Sequence, residues 1–295
     1  MAHGELLSSE LSRDPAKREL FGADTYYLES VEQLAELTDV EDFAYRHAVL
    51  LLKPDAVAAR QLLQTVEWLP SNGFRIVAAE RVTLTRHVVR GLWYFQWNLA
   101  TPERRWLAGM LTAASDSLVL VVRADEDKVP ASVLLTDRKG PTDPAARVPG
   151  QLRYELGRYS YLLNLVHTPD EPADVLRELG VYFGHDERAA VFASALAGAD
   201  RSDRARELAE HLYRESRPKD LALEPALARL ADSVGATPGT DPRELLDAVR
   251  RDGAQVDPWD LVIVGSHVLP MKRKQFSPVL DASSVEAWLT GGCDS

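Results

Sequence analysis

Asn164-Leu165-Val166-His167 closes an apolar run that starts at Tyr159, and Glu178 follows eleven residues after the histidine. A turn with Pro169 and Asp170 separates the two, and a helical pattern carries the glutamate. That order can set an imidazole at a strand end with a carboxylate behind one ring nitrogen. A carboxylate accepting from one nitrogen fixes the tautomer and leaves the other nitrogen as a nucleophile. A lone histidine after a strand is more often structural, so the weight of this one comes from its company upstream.

That company is ordered. His47 to Leu52 is an apolar strand running into Lys53-Pro54-Asp55, with a helical pattern after it. Thr142-Asp143-Pro144-Ala145 and Pro149-Gly150-Gln151-Leu152-Arg153 come later, then Asn164 to His167, then Glu178-Leu179-Gly180-Val181-Tyr182-Phe183. In this order the motifs resemble the nucleoside diphosphate kinase family over about residues 45–184.

The resemblance implies a role for each matching position. His167 is similar to the phosphate-accepting histidine and Glu178 to the carboxylate that orients it. Lys53, Thr142 and Arg153 resemble residues that hold the nucleotide phosphates, and Asn164 one that contacts the sugar. Trp106 aligns with the aromatic on which the base stacks, and Tyr94 falls near a phosphate-side tyrosine. The family's second phosphate-binding arginine would fall at Thr136, with Arg138 as the nearby substitute. The Gly-Ser that follows the family's histidine reads Thr168-Pro169 here, so only Thr168 offers a hydroxyl at that place. The chain is also longer than the family in the hairpin between Tyr94 and Trp106.

The resemblance further implies ATP or another nucleoside triphosphate as phosphoryl donor, with Mg²⁺ held through the nucleotide phosphates rather than by a protein site. Donor attack would leave a phosphohistidine, and a nucleoside diphosphate or a specialised small-molecule acceptor would then take the phosphoryl group. A nucleotide-binding module without turnover, its C-terminal helices binding a partner, is the reading from another class. A histidine phosphocarrier or protein kinase is a third.

Composition sets bounds on these readings. The 295 residues suit one to two domains, and a hydrophobic fraction of 45% is ample for a core. A net charge of −11 argues against a general nucleic-acid binder, which needs a basic face. The basic cluster Lys272-Arg273-Lys274 is a candidate contributor to an anionic-substrate pocket. With Cys293 alone there is no internal disulfide, and neither a secretion signal nor a membrane span is evident, which suits the cytoplasm. A homodimer is the expected assembly.

The elements needed to position the site follow from periodicity. Strands are expected at His47–Leu52, Phe74–Leu84, Ser117–Arg123 and up to His167. Helices are expected at Ser30–Leu37, Val57–Leu69, a hairpin over Arg86–Ala114, Glu126–Leu135 and Ala173–Phe183. Asp55 is expected to cap the helix after Pro54. The fold class is α+β: a ferredoxin-like βαββαβ antiparallel sheet covered by helices, with an added, mostly helical C-terminal part. The divisions are an extension over 1–46, a kinase-like domain over 47–184, and a C-terminal extension or small domain over 185–295. In the last, helical patterns are expected at Arg188–Leu196, Asp203–Tyr213, Glu224–Ser233, Pro242–Arg250 and Ser283–Leu289, and a short buried strand at Asp260–Gly265.

Overall fold

The computed structural model describes residues 7–125, 128–237, 239–280 and 283–290. Cys293 and the expected helix start at Glu126 lie outside the described residues. Three short helices lead in: α1 (Pro15–Phe21), α2 (Thr25–Ala35) and α3 (Val40–Arg46). Asp14, Asp24 and Asp39 each start one of them by accepting a first-turn backbone N–H, the usual service of an aspartate N-cap.

Then come β1 (His47–Leu52), α4 (Pro54–Ala58), α5 (Leu62–Ser71) and β2 (Phe74–Val82). A hairpin follows, α6 (Arg86–Leu92) and α7 (Pro102–Thr112), with a 3-10 turn at Trp97–Leu99 between them. β3 (Ser117–Ala124), α8 (Ala131–Lys139), α9 (Leu152–Glu155), β4 (Val166–His167) and α10 (Pro172–Tyr182) complete the family-like part. The strands form one antiparallel sheet in the order β2-β3-β1-β4, the expected ferredoxin-like arrangement.

β1 reads as a continuous apolar run because both of its faces are buried. Ala48, Leu50 and Leu52 enter one core with Leu62, Val66 and Leu107, while Val49 and Leu51 enter a second with Phe43, Leu176 and Phe192. The alternation is the period of two that a strand imposes on its side chains.

Several local expectations need correction. The helix expected at Val57–Leu69 is broken into α4 and α5, with Arg60 between them in the left-handed region at φ 59°. Of the apolar run Tyr159–Val166 only Val166 and His167 pair with β1, opposite Leu52 and Leu51. The leucines before them plug the core from irregular backbone instead. α8 starts at Ala131 and runs on to Lys139, which brings Arg138 and Lys139 into its last turn.

The helical remainder comprises α11 (His185–Ala197), α12 (Ser202–Glu215), α13 (Leu223–Ser233), α14 (Pro242–Asp252), α15 (Pro258–Val268) and α16 (Val285–Thr290). The strand expected at Asp260–Gly265 is therefore a helix. Asp257 caps it and Pro258 occupies its first turn, and its run Val262 to Val264 is buried because it packs among α7, α13 and α14. Leu212, Leu230, Leu246 and Ile263 share one continuous core with Leu50 and Leu107. At the bulge in β2, the Arg201 backbone N–H reaches Ile76 O at 2.8 Å and Ser194 Oγ reaches Val77 O at 2.8 Å. The remainder thus covers a sheet edge that would otherwise expose pairing groups. No helix among the described residues is long and apolar enough to cross a membrane.

Candidate active site

β4 is short, but its anchoring is dense. Leu165 adopts φ 66°, a left-handed conformation that costs a non-glycine residue roughly 1–2 kcal/mol. Asp55 offsets that cost: Oδ2 accepts the Leu165 N–H at 2.9 Å, and the Lys53 N–H reaches Leu165 O at 2.9 Å. Asp55 therefore ties β4 to the end of β1 instead of capping α4, which lacks a side-chain cap. Immediately after this turn His167 emerges.

Glu178, buried on α10, takes His167 Nε2 at 2.8 Å, and Tyr182 OH donates to the other carboxylate oxygen at 3.4 Å. Nδ1 has no hydrogen-bond partner among the described residues. The Trp93 ring meets the imidazole edge-on at 5.3 Å between centroids, which gives the His167 ring an apolar wall.

His167 borders a cavity of about 450 Å³. Lys53, Arg104, Lys139 and Arg153 line it, with Thr142, Asn164 and Asp170, so an acidic chain gathers positive charge in one place. Lys53 spends two of its three N–H donors, on Asp55 Oδ2 at 3.2 Å and Leu162 O at 3.1 Å. Burial lowers its pKa, and Asp55 opposes that shift. Arg153 is a buried brace: it donates to Gly140 O at 3.0 Å, Thr142 Oγ1 at 3.2 Å, Val166 O at 2.6 Å and Asn164 Oδ1 at 3.5 Å. Burial, with Arg147 nearby, also disfavours its charge. Lys139 donates to Thr168 Oγ1, and burial together with Arg153 lowers its pKa to about 7.

The opposite end is aromatic. The Arg104 guanidinium lies 5.6 Å from the Trp97 ring and 5.3 Å from the Tyr161 ring, and Trp93 stacks on Trp97. Lys272 covers Tyr161 at 4.9 Å, which brings this one member of the basic cluster to the rim. Ser283, Ser284 and Val285 complete the wall from the C-terminal part.

Comparison with known proteins puts this geometry in a family. The nucleoside diphosphate kinase family model matches residues 46–188. A nucleoside diphosphate kinase of Frankia casuarinae is 33% identical over 137 residues, 46% of this chain and 93% of the relative. One of Desulfovibrio desulfuricans is 31% identical over 135 residues, 45% of this chain and 90% of the relative. This chain belongs to the nucleoside diphosphate kinase family. Among solved structures, an NDP kinase from Pyrobaculum aerophilum aligns with 48% of this chain and 97% of its own, at 20% identity and a TM-score of 0.41.

Of the residues that the family resemblance singled out, the fold brings Lys53, Thr142, Arg153, Asn164 and His167 to one cavity, with Glu178 behind the histidine. Three others lie elsewhere. Tyr94 is 66% exposed beyond the end of α6, edge-on to Phe95. Trp106 faces a separate groove with Arg86, Arg90 and Met110, and Arg250 of α14 covers its ring at 4.5 Å. Arg138 donates to Asn72 O and lies over Phe74 at 5.6 Å, tying α8 to the turn before β2. Successive helical residues point about 100° apart, so Arg138 leaves the cavity where Lys139 enters it.

Arg104, Lys139, Trp93, Trp97 and Tyr161 are cavity residues that the sequence reading passed over. The family pattern carried a signal only at Thr136, where an expected cation is missing. Nothing local marks Lys139 as its neighbour in space.

Proposed function

We propose that this family member is a phosphotransferase that moves the γ-phosphate of a nucleoside triphosphate through His167 to a nucleoside diphosphate or a specialised small-molecule acceptor. The observation that carries the reading is the His167–Glu178 pair, with Nδ1 unpartnered at the edge of a cation-lined cavity. Phosphoryl transfer asks mainly for positioning and charge stabilisation, and this end of the cavity offers both. His167 Nδ1 attacks the γ-phosphorus, the bond to the bridging oxygen breaks, and the diphosphate leaves with the electron pair. The acceptor's phosphate or carboxylate oxygen then forms the new bond to phosphorus and displaces Nδ1. Glu178 accepts from Nε2–H throughout and holds the tautomer.

Lys53, Thr142 and Arg153 are assigned to the nucleotide phosphates, Asn164 to the sugar side, and Mg²⁺ enters bound to the substrate's phosphates. Base stacking is assigned to the Trp97–Tyr161 end in place of Trp106. Because that end is built from the hairpin and the C-terminal part, we assign the chain a specialised small phosphorylated or carboxylated acceptor beside, or in place of, a nucleoside diphosphate. On this reading residues 47–184 carry the chemistry and the two extensions shape access to it.

Incubation with γ-labelled ATP and Mg²⁺ tests the reading. An acid-labile, alkali-stable label on the wild type and none on His167→Ala is the expected result. Absence of label on the wild type, with nucleotide still bound, would leave a binding module without turnover.

A further inference from the structure

Three departures from the family pattern, Thr136, Thr168 and Pro169, meet at one place in the fold. Thr136 Oγ1 donates to Pro169 O at 3.0 Å, which commits its hydrogen. At 2.7 Å from it, Thr168 Oγ1 must then be the donor of that pair, and its lone pair accepts from Lys139 Nζ. The relay runs in one direction, from ammonium to hydroxyl to hydroxyl to carbonyl. It holds Lys139 against the residue that follows His167.

Lys17 is an internal control for what a structural buried lysine looks like here. It is ion-paired with two carboxylates, Glu171 at 2.9 Å and Asp174 at 2.7 Å. Lys139 is as buried, yet among the described residues it has no carboxylate within ion-pair distance, although Asp170 and Glu178 lie near enough to feel its charge. Two of its three donors are unspent while it lines the cavity beside the nucleophile. An unmet buried donor is costly, so its retention calls for an anionic occupant.

We propose that Lys139, aimed by the Thr168–Thr136 relay, is the cation that holds the phosphoryl group while His167 carries it. This rests on the phosphotransfer reading above. As Nδ1–P forms and P–O breaks, the Lys139 N–H groups donate to the phosphoryl oxygens, and no proton passes to them. The arginine missing at Thr136 is thereby replaced by a lysine three residues on, and Thr136 becomes part of its support.

Single-turnover labelling with γ-labelled ATP, without acceptor, tests this on wild type, Lys139→Met, Lys139→Arg and Thr136→Val. Lys139→Met is expected to slow labelling ~100-fold, as loss of a preorganised donor does, with ADP affinity near wild type. Lys139→Arg is expected to recover part of the rate, and Thr136→Val to fall between. The thermal midpoint of Lys139→Met should hold or rise, because an unpaired buried charge is removed. Labelling at the wild-type rate, a lowered midpoint, or a loss of ADP affinity matching the loss of rate would overturn the assignment.

Phosphoramidate, which loads histidine without nucleotide, separates the two proposals. If ATP fails to label the wild type but phosphoramidate loads His167, a smaller loaded fraction in Lys139→Met keeps the Lys139 assignment while the nucleotide donor falls. Equal loaded fractions overturn it.

Discussion

The two ends of the cavity are built on different principles. At the His167 end three buried side chains are bonded to backbone: Asp55 to Leu165, Arg153 to Gly140 and Val166, Lys53 to Leu162. At the other end Arg104, Trp97 and Tyr161 are held by ring stacking, and the wall is completed by Ser283 to Val285. A side chain that satisfies buried carbonyls cannot change without leaving them unmet. Stacked rings tolerate exchange, since any flat apolar surface of similar size serves. The first end holds the positions that resemble the family's motifs, whereas Trp106 stands outside the cavity under Arg250.

That contrast can be broken most sharply at Arg153. Arg153→Met strips the partner from two buried carbonyls, and a loss of about 3 kcal/mol or more in unfolding free energy is expected by denaturant titration. A variant as stable as wild type would show that the bonded end is not overdetermined. Next is Glu178→Gln, which keeps the shape but removes the charge behind Nε2. Its labelling rate should fall by about 100-fold with nucleotide affinity retained. If affinity falls instead, the carboxylate serves binding.

At the stacked end, Trp97→Ala should weaken nucleotide binding by about tenfold by fluorescence titration, while Trp106→Ala should change it little. The reverse order would return the base to Trp106.

The smallest effect is a proton. Burial lowers the Lys139 pKa from its usual 10.5 to about 7, so between those values the unfolded chain holds a proton that the folded chain lacks. Stability from this group therefore rises with pH across that window, and below about 7 the charged lysine opposes folding in full. A γ-phosphate beside Lys139 raises the pKa again, so binding of a non-hydrolysable ATP analogue at pH 8 should take up part of a proton that ADP binding does not. Calorimetry in two buffers of different ionisation enthalpy reads it, and zero uptake would mean that the ligand does not approach Lys139.

Much of the sheet was readable because its signals are local. The bounds of β1 follow from five apolar residues, Ala48 to Leu52, between His47 and Lys53. The failures have equally specific causes. Val262, Ile263 and Val264 read as a strand because a short apolar run has the same periodicity in a buried helix, and it is the Asp257-Pro258 start that decides for the helix. Trp106 matches the family pattern by its place in the sequence, but that place does not say which side of a helix another segment will cover.

By itself the sequence determined the family, the sheet that the chain builds, and the histidine and glutamate that meet across it, because each rests on short-range periodicity or on a spacing within one motif. Only the tertiary structure decided that Lys139 and not Arg138 enters the cavity, that Arg104 lies between Trp97 and Tyr161, and that Ser283 to Val285 wall the site. These depend on contacts between residues far apart in the chain, such as Arg250 over Trp106, Lys272 over Tyr161 and Ser160 on Ser266. Which face a side chain shows is set by the partner that buries its neighbour, and no local pattern encodes that partner.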